Sequence, residues 1–207
     1  MNRHGWKILL PLILALSGAA LMARYKIKPL EPRPAAEYAA HQDFQNVVIG
    51  AFPAFSEEAV LTLFDSKKVY EKKVLPVLVV IENNNSFPIH VQDRSVFLVL
   101  NDGTNVPAMP VGEAFLRTVL RKPLSSYSTH PGVMIGQLRN RHRDMYEDFE
   151  HKDFGERLIA PHDSDFGVLF FARPSEEEMQ GLRLYLPEVE DVSSSQELIF
   201  FEFELKP

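Results

Sequence analysis

The chain has 207 residues and contains no cysteine. It therefore has no disulfide bond, thiolate nucleophile, iron–sulfur cluster or cysteine-ligated zinc site. The absence also excludes lipoprotein acylation. The runs Leu16-Ser17-Gly18 and Leu21-Met22-Ala23 resemble the approach to an acylated cysteine, but Ala19 and Arg24 follow them. Stability must come from packing.

Basic clusters are also scarce. The whole chain has a net charge of −6, and removal of residues 1–23 leaves 20 basic against 28 acidic residues, or −8. Arg139, Arg141 and Arg143 form a cluster along the chain, and acidic residues follow them at once. A polyanion partner needs a basic patch that displaces counterions. Nucleic acid is therefore disfavoured as a partner.

Residues 1–23 are typical of a membrane-targeting segment. Arg3 and Lys7 precede an uninterrupted apolar run over residues 8–23. Ser17 and Ala19 occupy the small-residue positions of a signal peptide cleavage site after Ala19. If uncut, the same run would be a transmembrane helix that contacts the membrane through residues 8–23. We expect a protein of the periplasm or cell envelope, either released or anchored in the inner membrane.

The flank that follows this run leaves its orientation open. Arg24, Lys26, Lys28 and Arg33 outnumber the basic residues before the run. The more basic flank of a membrane segment tends to stay in the cytoplasm. The targeting segment itself predicts that the folded domain lies outside the cytoplasm. The basic flank after it predicts the opposite, a domain on the cytoplasmic side.

A Pro/Ala-rich linker is predicted over residues 24–42. Pro29, Pro32 and Pro34 favour extended polyproline geometry, and the alanines that follow offer little to pack. One folded domain is then expected over residues 43–207, a length sufficient for a hydrophobic core.

Strand patterns dominate that domain. The final one is the clearest, because Ile199, Phe201 and Phe203 share one face while Glu202 and Glu204 occupy the other. Asn101-Asp102-Gly103 predicts a tight turn. About seven strands, the number of a β-sandwich, are expected at residues 47–51, 75–82, 96–100, 157–160, 166–172, 182–186 and 197–205.

Helical patterns are fewer. Ser56 is a predicted N-cap for a helix over residues 59–64, and residues 112–121 have apolar side chains at helical spacing. Both are expected to pack on the sheets. Residues 137–152 form a third candidate, highly charged and predicted to face solvent. The last two belong to a helical insertion at residues 107–156.

Four segments together resemble uncharacterised exported bacterial proteins with immunoglobulin-like sandwiches. They are Pro76-Val-Leu-Val-Val-Ile-Glu-Asn-Asn84, the helix before it, Leu158-Ile159-Ala160-Pro161 and residues 167–171. The resemblance implies an envelope location and an antiparallel immunoglobulin-like β-sandwich with two or three inserted helices. It includes no catalytic motif and implies no activity. The chain departs from the lipoproteins of this kind and from antibody domains by lacking their cysteines, and from the latter also by lacking the core tryptophan.

Two groups of side chains could ligate a metal. The acidic, His-containing helix at 137–152 would place four of them on one face at i, i+3, i+4 and i+7, namely Asp144, Glu147, Asp148 and His151. The alternative is a solvated face whose acids pair with neighbouring Arg and Lys. The second group is His162, Asp163 and Asp165, which is also typical of a turn.

The leading interpretation is a non-enzymatic envelope protein that binds another envelope protein through loops or the 107–156 insertion. Ser128 beside His130 and the other loop serines lack a nucleophile-elbow motif. No catalytic, cofactor-binding or metal-binding residue is assigned, and no cofactor is expected. The alternative is a metal-dependent hydrolase that uses the helix at 137–152. A structural spacer is the third possibility.

Overall fold

The computed structural model describes residues 24–92, 95–194 and 196–206. In this part of the chain, ten strands form two antiparallel sheets, and five α-helices cover one of them. The strands are β1 (Ala40–Phe44), β2 (Val47–Pro53), β3 (Val74–Asn83), β4 (Ile89–Val91), β5 (Phe97–Val99), β6 (Asn105–Pro107), β7 (Arg157–Ile159), β8 (Asp163–Ala172), β9 (Arg183–Asp191) and β10 (Gln196–Glu204). The helices are α1 (Glu57–Leu63), α2 (Lys68–Glu71), α3 (Val111–Val119), α4 (Pro131–Arg139) and α5 (Arg143–Lys152).

The first sheet has the order β1-β2-β3-β8. Its two longest strands, β3 and β8, pair over ten residues, from Val74 opposite Ala172 to Asn83 opposite Asp163. Nine of the ten residues of β3 are buried. A strand with apolar side chains on both alternating sets needs cover on both faces. The second sheet supplies one cover and the helices supply the other.

The second sheet is built around β9. Strand β10 pairs with one side of β9, while β5 and β4 share the other side end to end. Strand β6 then extends the sheet from β5, and β7 extends it from β4. The β9–β10 register shifts at two points near Ile199. Beyond the shifts, Phe201 and Phe203 lie opposite Leu186 and Leu184.

The first sheet separates two hydrophobic cores. The core between the sheets is mainly aliphatic and includes Val79, Leu169, Leu184 and Val189. The core beneath the helices is rich in phenylalanine. There, the rings of Phe149 and Phe170 stack at 5.2 Å, and that of Phe64 packs 4.7 Å from Phe149. Offset or tilted aromatic pairs of this kind add about 0.5–1.5 kcal/mol beyond their burial.

The predicted β-rich fold is confirmed, and it has three strands more than the pattern predicted. The additional strands are β1, β4 and β6. Strands β4 and β6 have three residues each and were not recognised from the sequence. Strand β1 carries a polar run in its middle and lies at the edge of its sheet. The predicted N-cap is present, since Ser56 Oγ accepts a hydrogen bond from Ala59 N at 3.1 Å.

The prediction of a single solvent-facing helix at residues 137–152 is wrong. The chain forms two helices there, α4 and α5, and α5 buries Tyr146 and Phe149 in the second core. Asp148 and Lys152 are also buried, joined by an ion pair of 2.7 Å. Because the two charges compensate each other, a helix that reads as charged can pack inward.

Packing begins before residue 43, within the predicted linker. Ala35 and Tyr38 are buried, and Tyr25 and Leu30 pack against the helices. An extended segment rich in proline loses little conformational freedom when it docks. We call residues 24–38, 56–73 and 111–152 together the helical layer. The predicted targeting run at 8–23 lies outside the described residues, and among those described no helix is long and apolar enough to cross a membrane.

Candidate functional site

The face of the second sheet that points away from the first is unusually apolar for a solvent-exposed surface. Six large hydrophobic side chains are exposed in the described part of the chain. Three of them lie on this face or at its rim: Leu158 (68% exposed), Phe200 (54%) and Val192 (46%). The free side of an antiparallel sheet is usually polar. An apolar patch on such a side is a candidate interaction surface.

Strand alternation places a row of three aromatic rings on this surface. Leu184, Leu186 and Phe201 point into the core, which turns Tyr185 and Phe200 outward. Phe97 lies opposite Tyr185 on β5. The rings of Phe97 and Tyr185 stack at 4.5 Å, and those of Tyr185 and Phe200 stack at 5.5 Å. Cross-strand stacking holds the rings in place before any partner arrives. We call this face, with Phe97, Tyr185, Phe200, Leu158 and His90, the outer face.

A shallow depression of about 450 Å³ lies on the same surface. On its floor, His90 Nε2 lies 2.7 Å from a carboxylate oxygen of Glu156, and His90 Nδ1 lies 3.8 Å from Glu190. Hydrogen bonds from Ser194 and from the backbone lower the pKa of Asp191. Its lining consists of His90, Glu156, Leu158, Glu190, Asp191 and Val192.

The surroundings of the aromatic row are acidic. Glu202 and Glu204 follow Phe200 on the outward side of β10, and Arg183 is paired with Glu202 at 2.6 Å. Charge is also distributed unevenly over the whole molecule. The helical layer has 15 Lys and Arg against 11 Asp and Glu, or +4. The remainder of residues 39–207 has 5 against 17, or −12. The outer face therefore belongs to the acidic part of the molecule.

The structure gives other partners to the carboxylates of the predicted metal helix. Asp144 pairs with Arg24, and Glu147 pairs with Arg143, both at 2.7 Å. The hydrogen bond from Arg24 lowers the pKa of Asp144. Asp148 faces inward and pairs with Lys152, while His151 remains exposed. In the described residues, no three His, Asp or Glu side chains are grouped as metal ligands.

The other residues singled out from the sequence serve local structure. His162 occupies a turn with φ of 58°, and Asp163 and Asp165 each accept a hydrogen bond from the next backbone N–H at 2.8 Å. His130 Nδ1 accepts from Gly132 N at 3.2 Å and so caps α4. These contacts do not assemble a reactive constellation.

The outer face was not identified from the sequence, although part of it was readable. The alternation that places Phe201 and Phe203 inward puts Phe200 on the polar side with Glu202 and Glu204. A large apolar side chain on the otherwise polar face of a predicted strand is the feature by which Phe200 could have been recognised. Phe97 and His90 carry no such signal, because Phe97 lies in the all-apolar run 96–100 and the strand of His90 has three residues.

Comparison with known proteins identifies no family. No family model matches the chain, and no curated protein matches it. Among solved structures, the chain is similar to the yjhA protein from Bacillus subtilis, with 11% sequence identity and a TM-score of 0.44. That match covers 82% of this chain and 98% of the other. A similarity at this level carries no functional argument.

Proposed function

We propose that this chain is a non-enzymatic envelope protein, exported or membrane-anchored, that binds another envelope protein through the outer face. The observation that carries the proposal is the outward aromatic row of Phe97, Tyr185 and Phe200, in which Phe200 is exposed and the other two rings are half-buried. Aromatic residues are enriched in the buried centres of protein interfaces, where a few of them supply most of the binding free energy.

Burial of the exposed apolar side chains of the outer face against a partner would be favourable in free energy. Burial of one large apolar side chain is worth about 1.5–3 kcal/mol. Phe200, Leu158 and Val192 stay largely exposed in the free chain, so this free energy is still available to a partner. Because Tyr185 is stacked between two rings, little rotamer freedom remains to be lost on binding.

The charges indicate the chemistry of the partner. Glu202 and Glu204 lie on the same side of β10 as Phe200, and Glu156 and Glu190 border the depression. A complementary surface carries Lys or Arg around an apolar or aromatic residue. A cation placed against the Tyr185 ring would add a cation–π attraction. An acidic partner would be repelled.

The geometry gives less support to the metal-dependent hydrolase that the helix at 137–152 suggested. Metal ligation there would require Asp144 and Glu147 to release Arg24 and Arg143. It would also require Asp148 to leave a buried ion pair with Lys152. Breaking such a pair costs about 3–5 kcal/mol because one charge remains buried and unpaired.

Site-specific photo-crosslinking in intact cells tests the proposal. A photoreactive amino acid replaces Phe200 in one variant and Val133 in another. The two side chains are matched, at 54% and 53% exposure, but Val133 lies on α4 in the helical layer. We expect a discrete adduct with another envelope protein from position 200 and little or none from position 133.

The control position also tests the earlier interpretation that the 107–156 insertion binds the partner. Adducts from Val133 alone, or equal yields from both positions, would contradict binding through the outer face. An adduct of twice the chain mass would show that a second copy covers the face. That outcome would replace the proposed partner with self-association.

A further inference from the structure

We infer that the helical layer docks on an anionic phospholipid surface through a basic groove. The groove is lined on two sides by Lys72, Lys73, Arg117, Arg121 and Lys122. This inference rests on the envelope location in the proposed function. It does not depend on the outer face, which belongs to the other sheet.

Two helix ends meet to form the groove. Lys72 and Lys73 follow the last residue of α2, and Arg121 and Lys122 follow shortly after the end of α3. The two sides touch, since Lys72 Nζ donates to Arg121 O at 3.4 Å. Cations near helix C-termini complement the helix dipole, which explains their local placement. It does not explain why two such ends converge on one hollow of about 500 Å³.

Most of these cations lack a compensating acid. Arg117 pairs with Glu113 at 2.9 Å, and Glu71, the acidic residue of the lining, pairs with Lys67 at 3.1 Å. Lys73, Arg121 and Lys122 are exposed and form no ion pair within the described residues. Three free cations around one hollow can accept phosphate oxygens.

The N-terminal segment leaves the molecule from the same layer. Arg24 bonds to Asp144 on α5 at 2.7 Å, and Tyr25 Oη donates to Asp148 at 2.5 Å. The backbone N–H of Lys26 donates to Asp65 at 2.9 Å. These contacts hold residue 24 against the helices. Residue 24 directly follows the predicted membrane run in sequence, so the helical layer holds the residue next to that run.

The charge distribution determines which side of the molecule faces an anionic membrane. The helical layer has a net charge of +4 and the remainder of residues 39–207 has −12, so an anionic surface attracts one side and repels the other. Each basic residue near such a surface strengthens binding by about fivefold. None of the exposed large hydrophobic residues in the described chain lines the groove. That composition suits lipid headgroups better than a protein interface, which needs an apolar anchor.

The absence of native cysteine allows a clean labelling test. Ser125→Cys places an environment-sensitive dye at the groove, and Thr104→Cys places it on the β5–β6 hairpin. The full chain is incorporated into vesicles of phosphatidylcholine alone or mixed with phosphatidylglycerol. We expect a blue shift at position 125 only with phosphatidylglycerol, reversed by salt. We expect no shift at position 104 in either vesicle.

Charge reversal at exposed positions gives the matched controls. Lys73→Glu with Lys122→Glu should abolish the shift, whereas Glu204→Lys on the outer face should leave it intact. Equal emission in both vesicles, or a shift that survives the double reversal, would overturn the inference. A response to soluble polyglutamate as large as that to phosphatidylglycerol would assign the groove to an acidic protein instead.

Flotation separates this inference from the proposed function. A chain that floats with both vesicles but shows no groove response contradicts the inference alone. A chain that floats with neither contradicts the inference together with membrane anchoring through residues 8–23, but not the exported form of the proposed function. Binding through the outer face is read independently, from the adduct at position 200.

Discussion

The two cores on either side of the first sheet are built differently. The core between the sheets is mainly aliphatic, whereas the core under the helices combines a phenylalanine cluster with the Asp148–Lys152 ion pair. The ion pair lies where residues 24–38 dock, and Tyr25 completes it. The aliphatic core holds the two sheets together mainly by burial, supplemented by hydrogen bonds from Asn83 on β3 to the backbone oxygens of Ile159 and Ala160. The helical core also fixes the segment that leads from the predicted targeting run.

The ion pair should produce the largest stability effect. Lys152 donates to Leu63 O at 2.6 Å and pairs with Asp148 at 2.7 Å, and both side chains are at least 94% buried. Lys152→Met leaves the Asp148 charge unpaired and should cost about 3–5 kcal/mol in the free energy of unfolding. Urea denaturation measures the loss.

The matched control replaces both partners. In the double variant Asp148→Leu with Lys152→Met, no buried charge remains, and the loss should be much smaller than in the single variant. An equal loss of unfolding free energy in both variants would mean that the two side chains contribute through packing and not through their charges. The two cores would then differ only in how their side chains pack.

A smaller effect is expected where the N-terminal segment joins this pair. Tyr25→Phe removes a hydrogen bond to a buried carboxylate and should cost about 1.5–3 kcal/mol at pH 8. Burial, and then the hydrogen bond to Asp148, raise the pKa of Tyr25 above its ordinary value of 10.0. The unfolded chain therefore loses this proton first, and the Tyr25 contribution falls as the pH rises above 10.0.

The pH dependence of stability distinguishes the contribution of Tyr25 from that of Lys152. Burial lowers the pKa of Lys152, so its contribution increases as the pH rises toward 10.5, in the opposite direction. That trend is common to the wild type and Tyr25→Phe. The stability difference between the two proteins should therefore narrow at about pH 11 relative to pH 8. A constant difference would mean that the Tyr25 proton does not contribute.

The same contrast shows how much the sequence could predict. Alternation was sufficient to predict β9 and β10, and runs of apolar residues were sufficient to predict β2, β3 and β8. The orientation of α5 was mispredicted, because a buried ion pair and an exposed one look alike along the chain. Burial of Lys152 depends on Leu63, 89 residues away, which no local pattern contains.

The two candidate surfaces differ in the same way. Phe200 could be recognised as an apolar residue on the polar side of a strand. The basic groove could not, because Lys72 and Arg121 are 49 residues apart and meet only when α2 packs beside α3. Two dibasic pairs, Lys72-Lys73 and Arg121-Lys122, were the available signal, and each one reads locally as a helix end.

Binding through the outer face is tested most directly by a second-site effect on crosslinking. The photoreactive residue is placed at Leu158, and the adduct yield in intact cells is compared between the wild-type background, Phe200→Ala and Val133→Ala. If Phe200 contributes a typical hot spot of about 2 kcal/mol, its removal should weaken binding about 30-fold and reduce the adduct accordingly. Val133→Ala should leave the yield unchanged. An undiminished adduct in Phe200→Ala, or an equal loss in Val133→Ala, would contradict binding through the aromatic row.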